Sequence, residues 1–276
     1  MAIETEVARH YGSGGIAERI LAALRAAHGA EAPVTTDALS VLDHFHGRGI
    51  FATRELVELL KPQPGEHILD IGSGIGGPAR WIAAHCDVRV TGVDLTPEFC
   101  EAAVALNRAA GLADRVTIKQ GSALALPVPD GQFDRAYSQN VIMNIADKRA
   151  FYREAFRALK PGGSLALSNL CRGADGDFIY PVPWAETAET SFLAAVDEMR
   201  ADLAAAGFAI ARFEDTTEAT LPATIRNRER LQHEGLAALG THLILGERLK
   251  EMQINSALNQ ERGLCRTIEA LALKPR

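Results

Sequence analysis

Residues 68–81, ILDIGSGIGGPARW, set Gly72, Gly74 and Gly77 in a G-x-G-x-x-G behind a strand-like run. Glycines in this pattern let a ligand approach a backbone without Cβ atoms, and the helix that follows offers amide donors. A dinucleotide and a single nucleoside are served equally well. Asp70, two positions before the first glycine, separates the two. A carboxylate at that strand end repels a pyrophosphate and favours a cation. S-adenosylmethionine carries a sulfonium and an α-ammonium. At about 4–6 Å and an effective dielectric near 20, one such pairing is worth about a few kcal/mol before desolvation. Asp70 serves equally as an acceptor for backbone amides that holds the loop, a role compatible with the same cofactor.

Asp94 ends the next strand-like run, in VTGVDLTPEF, 22 positions after Gly72. An acid there accepts hydrogen bonds from both hydroxyls of a ribose, which supports an adenosine ligand of either kind. Ser122 and the Ala123 amide, in QGSALALP, face an adenine edge. Ser73, Leu95 and Gln139 complete the candidate cofactor set. Methyl transfer from a sulfonium is an in-line displacement, in which alignment and desolvation carry most of the advantage. A base is needed only where the acceptor is protonated. The candidates are His10, Tyr11, His44, His46 and His242. Trp184, in YPVPWAETAETSF, is either a buried indole on a rigid connector or a wall of the acceptor pocket. Arg226, Arg228 and Arg230 read as a solvated helix face, or as a greeting for an anionic acceptor.

The elements that must position these residues alternate. Strands are expected at 66–71, 88–93, 116–120, 133–138, 163–168 and 208–215. Helices fall between them at 77–85, 96–111, 147–160 and 187–207. Such alternation implies a parallel sheet covered on both faces. Thr96-Pro97 reads as a helix N-cap and first helical residue, and Gly111 and Gly207 as stops. Residues 1–55 read as an N-terminal helical lid, 56–215 with 264–276 as the core, and 216–263 as a helical cap inserted before a last strand at 265–273. The lid and cap are expected to pack over the cofactor, with Tyr11 and His46 lining the acceptor cavity and the lid ordering when cofactor binds.

The 276 residues are 47% hydrophobic and 23% charged, with a net charge of −6. That balance gives no reason to expect nucleic-acid or membrane affinity. No apolar run approaches the roughly 20 residues of a membrane span. The N-terminus has no apolar signal core, so a cytoplasmic protein is expected, monomer or homodimer. The four cysteines form no C-x-x-C, and neither metal site nor disulfide framework is indicated.

ILDIGSGIGG, VDLTPEF, QGSALALPVPDGQFDRAYS and ALKPGGSLALSN, in this order and spacing, resemble the class I S-adenosylmethionine-dependent methyltransferases. The resemblance covers residues 40–215 and the last strand. It implies an α/β, Rossmann-like seven-stranded sheet whose last strand is antiparallel, an Asp94 that holds the ribose, and Gly72 and Gly74 facing the cofactor. The chain is most similar to a small-molecule branch that includes phosphoethanolamine, sarcosine/dimethylglycine and natural-product methyltransferases. LDHFHGRGIFATREL (42–56) resembles the segment that closes over the methionine end of the cofactor. YSQNVIMNIADK (137–148) resembles the loop that faces the methyl group. Several relatives place S-x-D-x-x-x-H there. Here Asn140 and Asn144 stand in place of the Asp and the His, and neither can act as a base. Relatives also use an N-terminal tyrosine near the methyl site. The resemblance therefore implies Tyr11, His46 and Asn144 at the acceptor, a small molecule whose accepting atom (N, O, C or S) stays open. Two other functions stay open: a non-catalytic S-adenosylmethionine-binding regulator, and an NAD-dependent oxidoreductase.

Overall fold

The computed structural model describes residues 4, 5, 15–44, 46, 48–237 and 239–276. Seven strands form one sheet: β1 (His67–Ile71), β2 (Arg89–Asp94), β3 (Val116–Gln120), β4 (Phe133–Gln139), β5 (Leu159–Arg172), β6 (Ala209–Asp215) and β7 (Cys265–Leu273). Their order is β3-β2-β1-β4-β5-β7-β6. The neighbours from β3 to β5 pair in parallel, and β7 lies antiparallel between β5 and β6. The sheet is the one expected.

Before β1 come α1 (Ile16–His28), α2 (Thr36–Asp43) and α3 (Ile50–Leu60). The crossover helices are α4 (Gly77–Cys86), α5 (Pro97–Ala109), α6 (Lys148–Ala158) and α7 (Val196–Ala205). Between β6 and β7 stand α8 (Thr217–Glu234), α9 (His242–Leu245) and α10 (Leu249–Glu261).

The period-two alternation of β1 divides the core. Leu69 and Ile71 pack with Phe151, Ala155, Met199 and Leu203 of α6 and α7. Ile68 packs on the other face with Leu56, Leu60 and Ile82 of α3 and α4. A third cluster joins α1, α2, α5 and α9 through Ile20, Leu42, Phe99, Leu106 and Ile244. Arg19 Nε donates to Leu243 O at 3.0 Å, so the N-terminal helices and the insert meet.

A buried ion pair fixes α2 on the core. Arg80 of α4, 1% exposed, donates from Nη2 to Asp43 Oδ2 at 2.7 Å and from Nη1 to Asn107 Oδ1 at 2.9 Å. Gly77 makes this approach possible: a Cβ there would stand 2.3 Å from Asp43 O. The third glycine of the motif is thus spent on helix packing.

One expected helix is shorter than its pattern. Residues 187–207 become helical only from Val196; the stretch before it runs extended apart from a 3₁₀ turn at Ala188–Thr190. The chain there is held by tertiary bonds that a helix would break. Phe192 N donates to Met143 O at 2.8 Å, and Lys148 Nζ donates to Phe192 O at 2.5 Å. The helix then starts where the Glu198 carboxylate accepts from Ala195 N at 2.8 Å.

Candidate active site

The C-terminal ends of β1 to β4 open into a cavity of about 410 Å³, roofed by α8, α10 and the 180–195 segment. Every candidate cofactor residue lines it: Asp70, Gly72, Ser73, Gly74, Asp94, Leu95, Ser122, Ala123 and Gln139. His46 and Asn144 line it as well. Tyr11 and His10 lie outside the described residues. His44 and His242 do not line the cavity.

The glycine loop is tied to β2 by its own amides. Gly72 N and Ser73 N donate to Val93 O at 2.8 and 3.0 Å, and Gly74 N donates to Asp94 Oδ2 at 2.7 Å. Asp94 Oδ1 accepts from Thr96 N at 2.9 Å. The loop-holding acid is therefore Asp94, and the amides of residues 72–74 are already engaged. Gly72 sits at φ 82°, and a Cβ there would meet Val141 Cγ2 at 2.3 Å. Gly72 thus lines the cavity while the place of its missing Cβ is taken by the loop after β4. Gly74, at φ 53°, also needs left-handed backbone.

Asp70 is 2% exposed, and its Oδ2 has no hydrogen-bond partner. Burial pushes its carboxyl up to about 7, against a lowering influence from the neighbouring Tyr137 hydroxyl; nearby Asp94 adds to the rise. The Tyr137 hydroxyl is buried beside it without a partner of ordinary geometry. Ser73 Oγ and Gln139 Nε2 are likewise buried and unpartnered. One acceptor and three donors thus stand without ordinary partners beside the glycine loop. An α-amino acid joined to a nucleoside satisfies such a set, and S-adenosylmethionine fits it.

Around His46 runs a chain of hydrogen bonds. Thr53, fully buried, lies 2.9 Å from His44 Nδ1 and 3.3 Å from His46 Nε2, and donates to Gln139 Oε1 at 3.3 Å. With the one hydroxyl proton of Thr53 given to Gln139, His46 Nε2 donates to Thr53 Oγ1. His46 then carries its proton on Nε2, and its unpartnered, buried Nδ1 holds a bare lone pair. Burial, aided by the Arg48 charge, lowers the pKa of His46 to about 4. Burial lowers His44 to about 3, aided by His46 and Arg80. Both rings are neutral at pH 7.

The loop after β4 is built on a lysine. Lys148 Nζ donates to Ile142 O at 2.9 Å, to Ile145 O and to Phe192 O. Three carbonyls in place of a carboxylate hold the loop carrying Asn144 against the 180–195 segment. Trp184 is a buried indole that also borders the cavity. It is 4% exposed, donates from Nε1 to Ser191 Oγ at 3.0 Å, and lines the cavity. Arg228 pairs with Glu261 at 2.5 Å and joins α8 to α10. Asn259 of α10 exchanges two bonds of 2.9 Å with the backbone of Ile179.

Thr53, Tyr137 and Lys148 escape the sequence reading. Each sits in a helix or strand pattern that accounts for it without a site. A lysine in the buried stripe of α6 is the one signal that was available.

Residues 69–167 match the family described as Methyltransferase domain. O-methyltransferase resE of Aspergillus sclerotiorum is 30% identical over 216 residues, 76% of this chain and 78% of that protein. Phosphoethanolamine N-methyltransferase 1 of Arabidopsis thaliana is 40% identical over 124 residues, 45% of this chain. The chain spans about a quarter of that relative, 25%. Phosphoethanolamine N-methyltransferase 2 of Haemonchus contortus, solved with S-adenosyl-L-methionine, shares the fold with a TM-score of 0.69 at 23% identity. That likeness covers 88% of this chain and 58% of that one.

Proposed function

We propose, for a chain that belongs to the S-adenosylmethionine-dependent methyltransferase family, that it transfers a methyl group to a nucleophilic atom of a small molecule held at the insert end of the cavity. The observation that carries this reading is Asp70, a buried carboxyl with an open oxygen beside a glycine loop whose amides are engaged. That combination suits a cationic nucleoside and denies a pyrophosphate the amides of residues 72–74, which counts against the oxidoreductase.

When bound, the cofactor supplies a methyl carbon already activated by its sulfonium. The chain's own residues do the rest. Asp70 holds the ammonium, Asp94 accepts from the ribose hydroxyls with its remaining lone pairs, and Ser122 and the Ala123 amide meet the adenine. Gln139 Nε2 donates toward the amino-acid end. Trp184, Met143 and the insert exclude water, so the acceptor approaches desolvated. His46 Nδ1 accepts a hydrogen bond from the acceptor and takes its proton as the new bond forms. A base of low pKa serves where the acceptor's proton becomes acidic only during transfer. Asn144, which cannot titrate, positions the acceptor. Residues 216–263 act as a cap that selects the acceptor, and the helices at 16–43 cover the other side.

The test is calorimetric titration with adenosylhomocysteine and with NADH, followed by mass-spectrometric detection of adenosylhomocysteine formed from adenosylmethionine across a panel of hydroxyl- and amine-bearing small molecules. Adenosylhomocysteine binds and NADH does not. Tight NADH binding overturns the cofactor, and binding without turnover by any panel member returns the chain to a regulatory role.

A further inference from the structure

The charges on the cavity wall are placed unevenly. Asp70 and Asp94 stand at the strand ends, and Asp43 is held by Arg80. Glu4 accepts from Ser122, and Asp147 caps α6 by accepting from Ala150 N at 2.9 Å. Among the described residues, Arg48 is the one cation that lines the cavity, and it is engaged with Glu55 and with Glu269 at 3.4 Å. The insert contributes amides and hydroxyls without charge, among them Thr224, Asn227, Gln253 and Gln260. Trp184 and Met143 line the cavity as well. The insert's arginines are elsewhere: Arg228 is paired with Glu261, and Arg226 is exposed and does not line the cavity.

Among the described residues no unengaged cation would receive an anionic group that entered and was desolvated in this space, beside a wall whose described carboxylates outnumber its one arginine. An uncompensated buried charge of that kind is strongly disfavoured. A second cation would stand against the charge that Asp70 is placed to hold. Uncharged hydroxyls and carbonyls, by contrast, find donors and acceptors on α8 and α10, and an apolar body finds the indole and the thioether.

We infer that the acceptor is an uncharged small molecule, with an apolar body and several hydroxyl or carbonyl groups, and that phosphorylated acceptors are rejected. This rests on the methyltransferase reading of the same cavity. It sets the chain apart from relatives named for phosphoethanolamine, one of which matches 45% of its length.

The experiment uses two probes with one apolar chain, octyl β-D-glucoside and octyl phosphate, each titrated calorimetrically below its micelle concentration into the whole chain saturated with adenosylhomocysteine. The expected result is binding of the glucoside at least tenfold tighter than the phosphate, and a reversal of that preference in Asn227→Arg, which gives the insert face a cation. Octyl phosphate binding as tightly as the glucoside to the unaltered chain overturns the inference. So does the failure of both probes when adenosylhomocysteine itself binds. Failure of adenosylhomocysteine to bind overturns instead the reading on which the inference stands.

Discussion

Asp94 has two duties, and a substitution separates them. Its carboxylate holds Gly74 N and Thr96 N and has lone pairs left for a ribose. Asp94→Ala leaves both amides without their acceptor and removes the ribose anchor. Charged hydrogen bonds are worth roughly 1.5–3 kcal/mol each. Adenosylhomocysteine affinity should fall at least about tenfold by calorimetry, with a measurable drop in Tm. Asp94→Asn, which keeps one acceptor oxygen, should recover part of the Tm and little of the affinity. Asp70 makes a prediction in pH. Its folded-state pKa is raised to about 7 from 3.8, chiefly by burial. A cation prefers the ionised form, so binding expels the proton, and affinity should rise as pH climbs from 6 to 8. Stability runs the other way: the raised pKa favours the fold below about pH 4, and that contribution is lost as pH rises through 7. Asp70→Asn should therefore melt higher than the unaltered chain at pH 8, bind more weakly, and show a flat affinity profile. A higher affinity at pH 6 than at pH 8 in the unaltered chain would contradict the role given to Asp70.

At the scale of elements, the loop after β4 depends on one ammonium. Lys148 sits in the buried stripe of α6 and serves three carbonyls on two segments. Lys148→Met keeps the length and apolar stem and leaves those carbonyls without their donor. Each buried group left unsatisfied costs about 1–3 kcal/mol. The variant should lose several degrees of Tm and most turnover, while adenosylhomocysteine affinity, set by β1 to β3, stays within about twofold. An equal loss of cofactor affinity would show that the loop and the nucleoside site are one unit. Here the sequence was legible in part. Amphipathic spacing placed α6, but the same spacing extended the next helix to 187–207, because propensity cannot register that Phe192 is bonded across the fold to Met143.

At the scale of the whole molecule, the N-terminal helices are part of the core. The Ile16–His28 helix buries Ile16, Ile20 and Leu24, and Asp43 is paired with a fully buried arginine. Breaking such a pair typically costs about 3–5 kcal/mol, so this region is not expected to open and close as a lid. Amide exchange with and without adenosylhomocysteine should be the same over 16–43. Cofactor-dependent protection should be confined to the loops around 72–76, 94–97 and 120–124 and to the turn at 46–49. New protection across 16–43 would restore the moving lid. Among the described residues no helix is long and apolar enough to cross a membrane.

The sequence by itself determined the alternation of strands and helices, the cofactor, and the residues that line the strand-end cavity. These depend on local signals: a two-residue period, glycines that need left-handed backbone, and acids at strand ends. Each is written within a few residues of the atom it places. Only the tertiary structure decided which acid holds the loop and, among the described residues, which histidine lines the cavity and that Arg48, its one lining cation, is engaged. Thr53 meets Gln139 across 86 residues, and Asp43 meets Arg80 across 37. No periodicity links such pairs. They are brought together by the packing of apolar faces, and their charges and tautomers follow from the burial that this packing imposes.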